Sequence, residues 1–318
     1  MYKQGLSINT TTADVTPTSN QSGMLLMAGA MLLLPMMDAM AKLLSTNLGP
    51  GQIGFVRFLI QALILSTAVI STRQLCPMPA KARVKTALAG AFVAGTITSL
   101  YWSLAFLPLA NAIAIFFVEP LLLTLLSAWV LREKMSKERL IAVLLGLLGV
   151  LVVIRPNWDL FGWVALLPLL AALFYAAHLT VLRSITATLG SLQVQACSSA
   201  WATVLLGGGI MLGGNNQTSI FTWAQPSPRA WCLLLAIGLL SAISHMMITQ
   251  AFKRIQASVL ASFQYLEIIS ATILGYVLFQ DFPDILTWLG TLIILAAGSY
   301  VFYTERKRSR IIPETAGR

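Results

Sequence analysis

Charge is what this sequence has least of. Of its 318 residues only 10% are Asp, Glu, Lys or Arg, and just 11 are acidic. A water-soluble domain covers its surface with polar groups and carries roughly a quarter of its residues as charges, so this composition excludes an ordinary soluble fold. Cysteine is also scarce. The three present, Cys76, Cys197 and Cys232, show no paired spacing, which supports neither a disulfide framework nor a zinc site. The chain has no H-E-x-x-H, no P-loop and no G-x-S-x-G, the patterns that would point to a metalloprotease, a nucleotide-driven pump or a serine hydrolase. Residues 1–22 lack a basic segment followed by a short apolar stretch, and read as a disordered cytoplasmic tail, not a cleaved signal.

What is present in excess is apolar sequence: 57% of the residues are hydrophobic and the mean hydropathy is +0.80. A helix needs roughly 20 apolar residues to cross the hydrocarbon core, and the runs here are too long for barrel strands. They predict ten helices, at about 23–45, 52–70, 87–107, 112–131, 140–155, 162–182, 192–213, 230–250, 257–279 and 285–303. The expected fold is therefore an all-α membrane protein. Its formal charge of +10 does not point to nucleic acid, because the basic residues lie between the apolar runs. With the N-terminus inside, 17 of the 21 basic residues fall in cytoplasmic loops and tails, only Arg155 and Arg229 lie outside, and Lys42 and Arg57 lie within spans. Because cytoplasmic loops retain Lys and Arg, this bias puts both termini in the cytoplasm. Residues 304–318 then form a basic cytoplasmic tail.

The chain also repeats itself. AFLPLANAIAIFFVEPLLLTLLSAWVLRE, from Ala105 to Glu133, matches AFKRIQASVLASFQYLEIISATILGYVLFQD, from Ala251 to Asp281, with a two-residue insertion. The match pairs Glu119 with Glu267 and Glu133 with Asp281; a weaker one pairs Asp38 with His178. The halves are 23–155 and 156–303, five helices each. An odd number of crossings per half makes the second copy enter from the opposite side, which is the inverted repeat of many secondary transporters.

The tandem ten-helix pattern, DAMAK at Asp38 to Lys42, the Arg57–Phe58 pair, the AFLPLANA approach to helix four and the helix-nine run YLEIISATILGYVLFQDFPDILTWLG resemble the EamA family of the drug/metabolite transporter superfamily. The resemblance covers nearly the whole chain, from Gly23 to Tyr303. It implies a multi-pass carrier of the inner (plasma) membrane with two EamA repeats around a central cavity. Its implied substrates are small metabolites such as amino acids, nucleosides, purines, riboflavin and S-adenosylmethionine, moved in or out. No cofactor is implied. The expected partners are a small-molecule substrate and the lipid bilayer, with a homodimer as the oligomer allowed for, and no nucleic acid. One departure is Asp281, where the family's second repeat usually carries Glu.

An ionisable group at membrane depth costs about 2.5–3.5 kcal/mol on insertion scales, so each requires a reason. Five stand out: Asp38, Glu119, His178, His245 and Glu267. Glu119 and Glu267 occupy matched positions in helices of opposite sense, which puts both near the midplane. As cavity groups they would bind a cationic or hydrogen-bonding substrate or exchange a proton for it; as structural groups they would bond a neighbouring helix. Pro120 follows Glu119 and leaves the carbonyl of Phe116 without its intrahelical donor, either a substrate contact or a packing kink. Pro35 and Pro168 do the same for Met31 and Val164. Asp38 and Lys42, four apart, share a face and can pair, or Lys42 can snorkel to the headgroups. Arg57 either completes a gate there or anchors the helix at the interface. His178 and His245 have no metal spacing and read as proton shuttles or bonded structural histidines. Phe116 and Tyr265 flank the acids and can stack on a planar substrate, although aromatic residues in helices more often pack.

A secondary carrier is the reading these features support best. The competing readings are an intramembrane enzyme, for which no nucleophile–base or metal set is found, and a structural membrane subunit or channel, which leaves the matched acids unexplained.

Overall fold

The computed structural model describes residues 17–73, 77–130, 137–186, 189–213, 220–254, 260 and 263–311. Its helices are α1 (Pro17–Leu44), α2 (Pro50–Ser71), α3 (Ala80–Leu104), α4 (Leu109–Phe116), α5 (Glu119–Val130), α6 (Lys137–Phe161), α7 (Leu167–Thr186), α8 (Ser191–Gly213), α9 (Pro228–Arg254), α10 (Leu266–Phe279) and α11 (Ile285–Ile311). A 3-10 turn, Gly162–Leu166, leads into α7. Prolines mark several beginnings: Pro50 opens α2, Pro228 opens α9, and Pro79 and Pro108 precede α3 and α4. Proline suits these places because the first helical N–H groups have no intrahelical acceptor to lose.

Seven segments are long and apolar enough to cross a bilayer, with α4 and α5 forming one of them, and three shorter apolar helices, Leu140–Arg155, Leu266–Phe279 and Ile285–Val301, bring the crossings to ten. Sequence and structure agree on this number. The first helix starts earlier than the hydropathy suggests, at Pro17, while residues 1–16 lie outside the described residues. The Glu133 half of the Glu133–Asp281 match, in residues 131–136, also lies outside them.

Helices of one half pack chiefly against helices of the other. α1 lies along α9, and its counterpart α7 lies along α3; α2 faces α8, and α6 faces α11. α4 and α10 meet at the centre, with α10 also against α1 and α5 against α7. Exchanging the halves reproduces this set of neighbours, as an inverted repeat requires. Glycine permits the tightest crossings. A Cβ on Gly290 would sit 2.6 Å from the Gly149 carbonyl oxygen where α11 crosses α6, and one on Gly90 would sit 2.8 Å from that of Ser198 where α3 crosses α8. The small residues at these crossings thus serve close packing.

The polarity of the bundle is inverted relative to a soluble protein. Met211 and Leu212 are 87% and 92% exposed, whereas Asp38, Arg57, Gln61, Glu119 and His178 are buried. With lipid outside, apolar side chains lose nothing by facing outward, and polar groups gather where they can meet one another.

Candidate functional site

The centre of the bundle is shaped by two interrupted crossings. α4 stops at Phe116 and α5 restarts at Glu119. Across the gap Val118 N–H donates to the Ile115 carbonyl at 3.2 Å, and Leu121 and Leu122 N–H return to the Val118 carbonyl. Pro120, without an N–H, falls at this restart, as the sequence leads one to expect of a helix breaker. The matched crossing is interrupted as well: Tyr265 is a non-helical turn residue, and α10 begins at Leu266. Each acid therefore sits in the first turn of a half-helix, Glu119 on α5 and Glu267 on α10. A half-helix N-terminus concentrates unpaired N–H groups and positive dipole, so it is the place in a membrane helix where a carboxylate is best tolerated. The other two prolines behave differently. α1 runs unbroken through Pro35, and Val164, expected to lose its donor at Pro168, accepts the Leu167 N–H instead.

Around these acids the structure gathers groups from both halves. Glu267 lies within the electrostatic reach of Asp38 and Glu119, and the Tyr175 hydroxyl within that of Glu119, Glu267 and Arg57. Arg57 also acts on Asp38, Tyr101 and His245. Arg57 is 4% exposed and neither anchors an interface nor reaches a headgroup. Its Nη1 donates to the Tyr101 hydroxyl at 2.8 Å and its Nε to Ser241 Oγ at 3.1 Å, which ties α2 to α3 and α9. Ser241 in turn donates to Gln61 Oε1, one turn along α2 from Arg57. The guanidinium lies 5.4 and 5.7 Å from the ring centres of Phe58 and Tyr101, within cation–π range. Asp38 is buried on α1, and its Oδ1 finds no hydrogen-bond partner among the described residues.

The histidines lie beside this cluster. His178 Nδ1 donates to the Ala89 carbonyl of α3 at 2.8 Å, and its ring stacks on Tyr175 at 5.8 Å and 16°. His245 Nδ1 donates to the Ser241 carbonyl one turn back, at 2.8 Å. Phe116 packs on Tyr175 with ring centres 5.7 Å apart. Tyr265 does not join the acids: its hydroxyl is bonded to Ser299 Oγ of α11 at 2.6 Å.

The pairing of Asp38 with Lys42 is not formed. Lys42 Nζ donates instead to Asp281 Oδ2 at 2.7 Å and to the Leu107 carbonyl at 2.9 Å, over the Phe279 ring at 4.7 Å. Gln280, in the left-handed conformation at φ 60°, ends α10 and turns Asp281 toward α1. Water explains the choice: the Lys42 and Asp281 side chains are 15% and 31% exposed while Asp38 is buried, so a lysine loses less hydration by bonding outward. At the same end of the bundle Gln52 clasps the Ala224 peptide, its Nε2 donating to the carbonyl at 2.7 Å and its Oε1 accepting the N–H at 2.9 Å. Gly51 N–H donates to the Ile220 carbonyl at 3.0 Å. Residues 220–224, ahead of α9, are thereby held against the start of α2.

Sequence reasoning placed Asp38, Arg57, Glu119, His245 and Glu267 among the site residues, and the structure brings them together. It gave no role to Gln52, Gln61 or Tyr175. For Gln52 a signal existed, since G-x-x-Q occurs at Gly49–Gln52 and again at Gly190–Gln193, at the start of each half's second helix. Gln61 is visible only as the turn-mate of Arg57, and Tyr175 had none. Among the described residues no group of three His, Cys, Asp or Glu is arranged to hold a metal ion.

A ten-crossing bundle of two inverted halves with acids at broken helices is the architecture of a membrane carrier. The EamA-like transporter family model matches residues 21–155 and 162–303, and the chain belongs to that family. It is 25% identical to an S-adenosylmethionine uptake transporter of Rickettsia prowazekii, over 85% of this chain and 88% of that protein. It is 29% identical to a riboflavin transporter of Rhizobium johnstonii, over 65% and 66%, and 28% identical to a pseudopaline exporter of Pseudomonas aeruginosa, over 87% and 94%. A solved crystal structure at 19% identity superposes with a TM-score of 0.60, covering 90% of this chain and 98% of that one, and supports the fold alone. The chain is a multi-pass membrane transporter of a small metabolite.

Proposed function

We propose that this protein is a secondary carrier of the inner membrane, with both termini cytoplasmic, which moves its metabolite by alternating access and exchanges it for protons at Glu119 and Glu267. The observation that carries this reading is the placement of these two acids, each in the first turn after an interruption of matched crossings. A carboxyl at such a point can hold a proton in one state of the carrier and release it in the other, since rocking of the halves changes its access to water. The reading is supported by the Lys42–Asp281 pair and the Gln52 clasp, which bridge the two halves at the end where α1 leaves the bundle and α2 enters it, as a closed side of the carrier requires. The distribution of basic residues supports that end being outside.

The substrate candidates are S-adenosylmethionine, riboflavin and amino acids, the first two being what relatives are named for. Purified protein in vesicles, offered each labelled compound with and without an imposed proton gradient, tests the reading. One compound should accumulate with the gradient and fail to do so without it. Accumulation indifferent to the gradient would exclude proton coupling, and failure of every compound, including in counterflow against cell extract, would exclude this carrier mechanism.

A further inference from the structure

The centre of the bundle holds hydrogen-bonding capacity that its own side chains do not use. Arg57 has five N–H groups, and its side-chain hydrogen bonds among the described residues engage two of them, through Tyr101 and Ser241. The Tyr101 oxygen accepts from Arg57, yet its own O–H finds no acceptor among the described residues. Gln61 accepts from Ser241 at Oε1, while its buried Nε2 is likewise unbonded among them. Arg57, Tyr101 and Gln61 are 4%, 0% and 0% exposed, so water does not readily meet this demand. Three kinds of buried donor, two of them on one face of α2, thus converge with no acceptor.

The complementary deficit lies on α1. Asp38 is 4% exposed, its Oδ1 is unbonded, and it sits in the electrostatic field of Arg57 without forming an ion pair with it. Opposite charges buried near one another but apart are costly, because neither the solvation of water nor the close contact of a salt bridge compensates them. Orphaned donors on one side and an orphaned anionic acceptor on the other are the negative image of a molecule with a carboxylate at one end and a cationic nitrogen at the other.

We propose that Asp38, Arg57, Tyr101 and Gln61 form the substrate subsite, and that it takes an α-amino acid group: the carboxylate on Arg57, Tyr101 and Gln61, the ammonium on Asp38. The transported metabolite is an amino acid or an amino-acid conjugate. A neutral planar compound could accept some of these hydrogen bonds but would bring no charge to match Arg57 and Asp38. This inference rests on the carrier reading above but not on the coupling ion, since Glu119 and Glu267 are left to carry the proton.

The test is ligand-induced thermal stabilisation and competition, on the purified full chain, with a panel of L-amino acids and S-adenosylmethionine. Each is paired with its decarboxylated amine and its N-acetyl derivative, and riboflavin is the neutral control. At least one zwitterion should bind, with its decarboxylated partner weaker on the order of 10- to 100-fold, as expected when hydrogen bonds to a charged group are lost. Arg57→Gln should bring that ratio to about one, and Asp38→Asn should do the same for the N-acetyl comparison. If Arg57→Gln does not fold, Gln61→Leu should narrow the carboxylate preference. A ligand bound equally well without its carboxylate, riboflavin binding in preference to every zwitterion, or no stabilisation by any zwitterion would overturn the assignment. Gradient-driven uptake of riboflavin with no zwitterion bound would do so while leaving the carrier reading intact.

Discussion

The two halves of this protein share a scaffold and one acid, and differ in almost every other polar residue at the centre. Glu119 and Glu267 correspond, each following a broken helix. In the same registers Asp38 stands opposite His178, Arg57 opposite Ser198 and Tyr101 opposite Met247. The contacts differ as much as the residues. Arg57 reaches to α3 and α9, whereas Ser198 bonds back to the Gln195 carbonyl of its own helix. Asp38 keeps an oxygen unbonded, whereas His178 is satisfied by the Ala89 carbonyl. Met247 packs against α1, where a Cβ on Gly29 would lie 2.6 Å from its Cε. Under the proposed mechanism this difference separates two tasks: alternating access needs halves that can trade shapes, so the groups proposed to couple are duplicated, whereas a substrate has no twofold symmetry, so the groups proposed to recognise it need not be.

The sharpest way to break this comparison is to neutralise the shared acids one at a time. Glu119→Gln and Glu267→Gln should each lower gradient-driven uptake in vesicles by at least about a hundredfold, the scale of removing a group that transfers a proton. A large loss in one and none in the other would mean that the two acids are not equivalent. Next in size is the unshared pair. Arg57→Gln should raise the half-saturating substrate concentration on the order of 10- to 100-fold, while Ser198→Ala, which removes only a helix-internal bond, should change uptake by less than about twofold.

The proposed outer seal gives a smaller effect. A partly exposed ion pair contributes about 0.2–1 kcal/mol, so Lys42→Met or Asp281→Asn should raise labelling by an external thiol reagent by at most about fivefold. The reporter is a Leu107→Cys substitution in a cysteine-free chain, and the charge-reversed double variant should restore protection. Smallest of all is Tyr265→Phe. Its hydroxyl bonds Ser299 and not the acids, so uptake should be unchanged and the melting temperature lowered only by the loss of one interhelical hydrogen bond, about 0.6 kcal/mol.

The crossings were legible in the sequence because each is a long apolar run, and the inverted repeat because an insertion of two residues did not hide the match around Glu119 and Glu267. Five charged or titratable site residues were legible for a related reason: in lipid every such group is conspicuous. Partners were not. Lys42 is four residues from Asp38 and 239 from Asp281, and helical spacing favours the near one; the distant one wins because the left-handed Gln280 turns it toward the half-buried lysine. Arg57 read equally as an anchor or a gate, since a single sequence does not say which helix faces it. Tyr265 read as a neighbour of Glu267 because only two positions separate them, yet the turn at Tyr265 sends its hydroxyl to α11. Amides such as Gln61 escaped because, unlike charges, they are not rare enough in membrane helices to draw notice.

The central claim is that the duplicated acids couple transport to protons. It is tested most directly by comparing gradient-driven accumulation with substrate exchange at equal pH, in vesicles holding the Glu267→Gln variant. Retained exchange with lost accumulation is the result predicted, because a neutral side chain still lets the loaded carrier rock but carries no proton. Full gradient-driven accumulation by the variant would contradict the claim.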